Sequence, residues 1–84
     1  MGKYDKLLFQ ILRGLSDTNI GFDDLSGLLM RLGFEVRVRG SHHVFSQNAV
    51  HEQINLQRDG AKAKPYQVRQ VRTIITKYKL GKDI

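Results

Sequence analysis

Two of the three histidines in this 84-residue chain are adjacent, in the stretch RVRGSHHVFS (residues 37–46), with Arg37 and Arg39 just before them. Imidazole takes and gives protons near neutral pH, and guanidinium matches the geometry of phosphate. Together they suit one reaction well, the attack of a ribose 2′-hydroxyl on its own neighbouring phosphate. A base removes the hydroxyl proton, an acid protonates the leaving oxygen, and cations offset the charge that builds on phosphorus. DNA lacks the attacking hydroxyl, so such a site would cut RNA only.

Two other readings compete. A metal ion needs three or four ligands, and neighbours on a strand point to opposite faces, so one ion does not easily take both His42 and His43. His51 is the only other imidazole and falls in an expected loop. No metal and no cofactor is therefore expected. The other reading is that both histidines are ordinary strand residues beside a turn.

The flanking pattern sets where the two rings point. In FEVRVRG, Phe34, Val36 and Val38 alternate with Glu35, Arg37 and Arg39, the period of a half-buried strand. HHVFSQ reads as its hairpin partner, joined by Gly40-Ser41 as a two-residue turn of the glycine-first type. That turn would pair Arg39 with His42, Val38 with His43, Arg37 with Val44 and Val36 with Phe45. Opposed residues share a face. Phe34, Val36, Val38, His43 and Phe45 are thus expected toward the core, His43 with a satisfied ring nitrogen. Glu35, Arg37, Arg39, His42, Val44 and Ser46 are expected on the open face. A four-residue loop would keep this parity, and a bulged three-residue loop would reverse it.

The remaining elements follow from periodicity. KYDKLLFQILRGL places Leu7, Leu8, Ile11, Leu12 and Leu15 on one helical stripe, ended by Gly14 and SDTN. In GFDDLSGLLMRLG, Leu25, Leu28, Leu29 and Leu32 recur at helical spacing, and Gly33 suits a left-handed stop. Asp23 and Asp24 sit in that helix's first turn, where carboxylates favour the positive end of the dipole. EQINLQRD supplies a third strand around Ile54 and Leu56, and Asp59-Gly60 begins the exit. PYQVRQVRTIITKYKLG is a final helix, with Pro65 at its first position, an apolar stripe of Val68, Val71, Ile75 and Tyr78, and Gly81 at its end. The order is α-α-β-β-β-α. An α+β fold follows, a three-stranded antiparallel sheet with its helices on one face.

Composition narrows the classes. Without cysteine there are no disulfides, no thiolate zinc and no thiol nucleophile. No apolar run approaches the roughly 18 residues of a membrane span, and no signal-peptide layout opens the chain. A soluble, cytoplasmic protein with no membrane partner is the expectation. Residues 1–33 carry four basic and four acidic side chains, whereas residues 34–84 carry ten and four, so the whole net charge of +6 lies in the second part. A polyanion is the partner such asymmetry suggests. Lys62, Lys64, Arg69 and Arg72 would extend a phosphate track from Arg37, Arg39 and Ser41.

The stretches LLMRLGFEVRVRGSHHVF (28–45) and KAKPYQVRQVRTII (62–75) resemble the HicA family of bacterial toxins, with the likeness running from about Phe22 to Leu80. The resemblance implies a fold like a double-stranded-RNA-binding domain and a metal-independent ribonuclease, an mRNA interferase, acting on messenger RNA. It implies a HicB-like antitoxin that covers the active site and itself binds operator DNA, so that DNA is met only indirectly. The family's catalytic histidine falls on His42, the residue the hairpin parity also selects. Residues 1–19 become an N-terminal helical extension to a domain spanning 20–84. A non-catalytic RNA-binding module is the alternative function, and an inactive protein adaptor a third.

Overall fold

The glycine–phenylalanine junction at residues 33–34 shows how closely the local chemistry and the fold agree. In a computed structural model, which describes residues 2–81, helix α2 (Phe22–Arg31) ends where Gly33 adopts φ +100°. Gly33 N–H then donates to the Met30 carbonyl and Phe34 N–H to the Leu29 carbonyl. This double closure satisfies carbonyls that the helix end would otherwise leave without partners. It also turns the chain directly into strand β1 (Glu35–Arg39).

From there β2 (His42–Gln47), β3 (Val50–Asp59) and β4 (Lys62–Ala63) form an antiparallel sheet in the order β1-β2-β3-β4. Helix α1 (Lys3–Arg13) and a short 3-10 turn (Asp17–Asn19) precede α2, and α3 (Pro65–Tyr78) closes the chain. The fold is α+β, with three helices and the antiparallel sheet expected. The sheet has four strands rather than three. Residues 62–63 are too short to show an alternating pattern, and they become a strand because Ala63 pairs with Arg58 on one side while its N–H donates to the Ile20 carbonyl on the other. The third strand also starts earlier than Glu52, because Val50 is buried and pairs with Gln47 across a two-residue turn.

The core lies between sheet and helices. Phe45, Ile54 and Leu56 from the sheet meet Phe22, Leu25, Leu28 and Leu29 of α2 and Val68, Val71, Ile74 and Ile75 of α3, all essentially inaccessible to solvent. A radius of gyration of 11.7 Å matches a single close-packed unit of this length. Among the described residues no helix is long and apolar enough to cross a membrane.

Helix α1 joins the helical layer and leaves the far face of the sheet uncovered. It buries Leu7, Leu8 and Ile11 against α2 and α3. Gly27 of α2 admits the Tyr4 ring, since a Cβ there would meet the phenol. The expected stripe is shorter than its periodicity suggests, because Leu12 is 44% and Leu15 77% exposed, and Phe9 is exposed as well. The helix ends at Gly14 (φ +70°), so Leu15 is carried off the stripe. The end of α3 also differs from expectation. Lys79 takes the left-handed position (φ 54°), and Gly81 instead lets Leu8 approach its backbone.

Arg72 ties these parts together. Its guanidinium donates to both carboxylate oxygens of Asp17 at 2.9 and 3.0 Å and to the Ile11 carbonyl at 3.0 Å. The 3-10 turn and the end of α1 are thereby held on α3. Hydrogen bonding from Arg72 keeps the Asp17 carboxyl below the usual carboxylate range, partly opposed by burial. A carboxyl with a depressed folded pKa contributes stability above its unfolded pKa and loses it as pH falls through the folded value. Asp17→Asn is expected to lower unfolding free energy at neutral pH by about 1–3 kcal/mol. The variant is also expected to show a flatter loss of stability in acid, both read from urea titrations across pH.

Candidate functional site on the open sheet face

The hairpin has the register that its two-residue turn dictates. Gly40 has φ +59° and Ser41 does not have positive φ, the glycine-first geometry. Arg39 pairs with His42, Val38 with His43, Arg37 with Val44 and Val36 with Phe45. Every side chain of β1 and β2 is thereby assigned a face. His42, Arg37 and Arg39 stand exposed on the face opposite the helices. Arg39 lies directly across from His42, about 5 Å between Cβ atoms for such a pair, and Arg37 lies on the diagonal.

His43 falls on the helix side, half-buried, its ring edge-on to Phe22 with centroids 4.9 Å apart. The expectation that its ring nitrogen is satisfied is corrected here, since the buried Nδ1 has no hydrogen-bond partner among the described residues. The Phe22 ring also carries the Arg58 guanidinium 4.4 Å from its centroid, and Arg58 pairs with Asp23 at 2.6 Å. Val38 shares the inward parity of His43 yet remains 59% exposed. It faces the helix side at the hairpin end, where the helical layer does not cover it.

The third strand supplies what the sequence did not announce. His42 pairs with Gln57 and Val44 with Asn55, which brings both amides onto the open face. Asn55 Oδ1 lies 3.1 Å from His42 Nδ1. With the proton on Nδ1, the ring donates to that oxygen and keeps Nε2 as its acceptor. Gln57 Nε2 donates to Ser41 Oγ at 3.1 Å, and Lys64 Nζ donates to Gln57 Oε1 at 3.5 Å. Asn55 and Gln57 therefore position the candidate site rather than simply meeting solvent. The alternation of Gln53, Asn55 and Gln57 with Ile54 and Leu56 was the available signal. Which loop residues those amides reach depends on the β2–β3 register.

Gln67, at the first turn of α3, fixes the same strand from behind. Its buried amide, oriented to satisfy both groups, accepts from Gln57 N–H at 3.1 Å and donates to the Gln57 carbonyl at 3.2 Å. Pro65 begins this helix, where its missing N–H leaves nothing unsatisfied. Helix start, strand and site residue form one connected unit.

The expected basic track divides. Arg37, Arg39, Ser41 and His42 share the hairpin on the open face, and Lys64 reaches this group only through Gln57, which also contacts Ser41. Lys62 is turned to Asn19, whose Oδ1 it reaches at 2.7 Å. Arg69 is exposed on α3 close enough to Asp17 to help stabilise its charged form, and Arg72 is committed to Asp17. These three lie away from His42. Asp23 meets Arg58, and Asp24 meets Lys3 at 2.9 Å. Among the described residues no three His, Cys, Asp or Glu side chains are grouped closely enough to hold a metal ion. His51 is exposed at the start of β3.

This arrangement can hold the exposed His42 imidazole in its Nδ1–H tautomer, with Arg39 across the ladder and Arg37 on the diagonal. In Asn55→Ala the His42 ring is expected to lose its preference for the Nδ1–H form, while stability shifts by less than about 0.5 kcal/mol. Ring-nitrogen chemical shifts at alkaline pH measure this, and an unchanged tautomer would contradict the role given to Asn55. No protein-family model, curated protein or solved structure matches the chain, so the site is read from its own geometry.

Proposed function

We propose that this chain is a metal-independent endoribonuclease in which His42 is the acid–base residue. The observation that carries the reading is the exposed His42 ring, held by Asn55 and flanked by Arg39 and Arg37 on a sheet face that the helices leave open. Nε2 takes the proton of a ribose 2′-hydroxyl as its oxygen attacks the adjacent phosphorus. The bond from phosphorus to the 5′-oxygen breaks, and the imidazolium is the proton source for that leaving oxygen. Arg37 and Arg39 offset charge on the non-bridging oxygens, and Ser41 orients the phosphate through its hydroxyl or backbone N–H. Lys64, linked to Ser41 through Gln57, extends the cationic surface along the strand.

From α2 to α3 the three longer strands between two helices, with the two-residue β4 added at the edge, are compatible with a double-stranded-RNA-binding-domain-like arrangement, with α1 added to its helical layer. Taken with the HicA resemblance of residues 28–45 and 62–75, this supports messenger RNA as substrate and an adjacent-gene, HicB-like antitoxin as partner. The site lies on a rigid sheet rather than a loop, so an inhibitor has only to cover one face.

The test is RNA cleavage. His42→Ala is expected to reduce cleavage by at least about 100-fold while RNA binding persists. Products should carry 2′,3′-cyclic phosphate or 3′-phosphate ends, and activity should survive chelator. Loss of activity in chelator, or full activity in His42→Ala, would overturn the mechanism. Salt-dependent RNA binding by a wild-type protein that never cleaves would identify a non-catalytic RNA-binding module. Replacing Arg37 and Arg39 together by alanine should lower the slope of log affinity against log salt by about 1.4 for single-stranded RNA.

A further inference from the structure

The two edges of the sheet are finished differently. At the β4 edge the segment before α2 closes the sheet: Gly21 bridges to Lys62, Phe22 N–H donates to the Ala61 carbonyl, and Ala63 N–H donates to the Ile20 carbonyl. At the other edge, among the described residues nothing pairs with the outer side of β1. The register decides which groups are offered there. A two-residue turn makes Arg39 and His42 the hydrogen-bonded pair, and such pairs alternate with non-bonded ones. Val38, opposite His43, and Val36, opposite Phe45, therefore direct their backbone N–H and C=O groups outward.

Side chains along that edge specify what fits. Toward the open face it presents Glu35, Arg37 and Arg39, all exposed, and toward the helix side Val36 and the 59%-exposed Val38. An antiparallel neighbour matches this with carboxylates across from Arg39 and Arg37, apolar side chains across from Val38 and Val36, and a cation across from Glu35. A second copy of this chain fits less well. Antiparallel pairing of Val36 with Val38 of the other copy would set Arg37 directly against Arg37, and like charges at that closest position are destabilising. Pairing centred on Val36 would oppose Glu35 to Arg37, but it calls on Phe34 N–H, which already donates to the Leu29 carbonyl. Each copy also carries a net charge of +6.

We propose that the outer edge of β1 is a docking site for an extended segment of another protein, added as a fifth, antiparallel strand with the pattern acidic-apolar-acidic-apolar-basic. Backbone hydrogen bonds to Val36 and Val38 supply the attachment, and Arg37 and Arg39 supply the selection. The open edge is protected against its own kind by charge and is complementary to the opposite charge. This inference does not rest on the nuclease reading, although an occupant would cover the arginines used there.

The probe is the blocked peptide Glu-Val-Glu-Val-Lys, added to ¹⁵N-labelled protein at low salt, with amide shifts and hydrogen exchange as readouts. At about 1 mM peptide, exchange at Val36 and Val38 N–H is expected to slow. Methylating both valine nitrogens of the peptide, or replacing both glutamates by lysine, should weaken binding at least about tenfold. In the protein variant Arg37→Glu/Arg39→Glu the preference should reverse toward the lysine peptide. Equal binding of the N-methylated peptide, protection mapping elsewhere, or no response at that concentration would each overturn the proposal. A wild-type dimer already protecting Val36 and Val38 would overturn it too, by making a second copy the occupant. None of these readouts involves RNA, so failure here and failure of the nuclease reading are separable.

Discussion

The two-residue turn at Gly40-Ser41 fixes the side of the sheet on which each β1 and β2 side chain stands. Strand side chains alternate with a period of two, so a slip of one residue would exchange the faces completely. Glycine makes the turn inexpensive, because φ +59° at residue 40 carries no steric penalty without a Cβ. With that register Phe45 fills the core and His42 does not. The apolar requirement of the interior and the accessibility of the imidazole are therefore the same constraint seen from opposite faces. Two chemically identical side chains, adjacent in sequence, acquire different roles: His43 packs against Phe22, and His42 is held by Asn55 in contact with solvent.

The positive charge of the chain also divides by role. Arg72 holds the 3-10 turn and the end of α1 through Asp17 and the Ile11 carbonyl, in partly buried geometry where a bidentate pair with a backbone acceptor contributes appreciably. Arg58 stacks on Phe22 and pairs with Asp23, and Lys77 shares Glu52 with Tyr78. The Lys77–Glu52 pair is about half exposed and contributes little. Arg37 and Arg39 are exposed beside His42, which is why a net charge concentrated in the second part of the chain translates into a local cationic face at the hairpin.

Elements with a clear period were legible in the sequence. Both leucine-rich helices, the FEVRVRG strand, its partner and the proline-led final helix stand where their apolar spacing puts them. The hairpin register could be derived residue by residue from one turn. What escaped depended on long-range pairing. The two-residue β4 exists because residues 20–22 and β3 meet it from either side, and no window of four residues contains that information. Leu12 and Leu15 belong to the helical stripe by spacing, but only the position of α2 and α3 decides how much of the stripe is covered. Lys62, Arg69 and Arg72 look interchangeable with Lys64 in a charge count. Asn19 draws Lys62 and Asp17 draws Arg72, both partners distant in sequence, while Arg69 stands exposed on α3. Asn55 and Gln57 are two amides of an alternating strand, and only the β2–β3 register sets them beside His42 and Ser41.

The helical layer and the sheet thus cooperate to present one imidazole outside the core, and the most direct check is on the pairing itself. Nuclear Overhauser contacts between α-protons are strongest at the non-hydrogen-bonded pairs of an antiparallel ladder, where the two chains approach most closely. Strong contacts between Val38 and His43 and between Val36 and Phe45 are the expected result. Contacts displaced by one residue, joining Val38 to His42, would turn His42 toward the helices and remove the centre on which the functional reading stands.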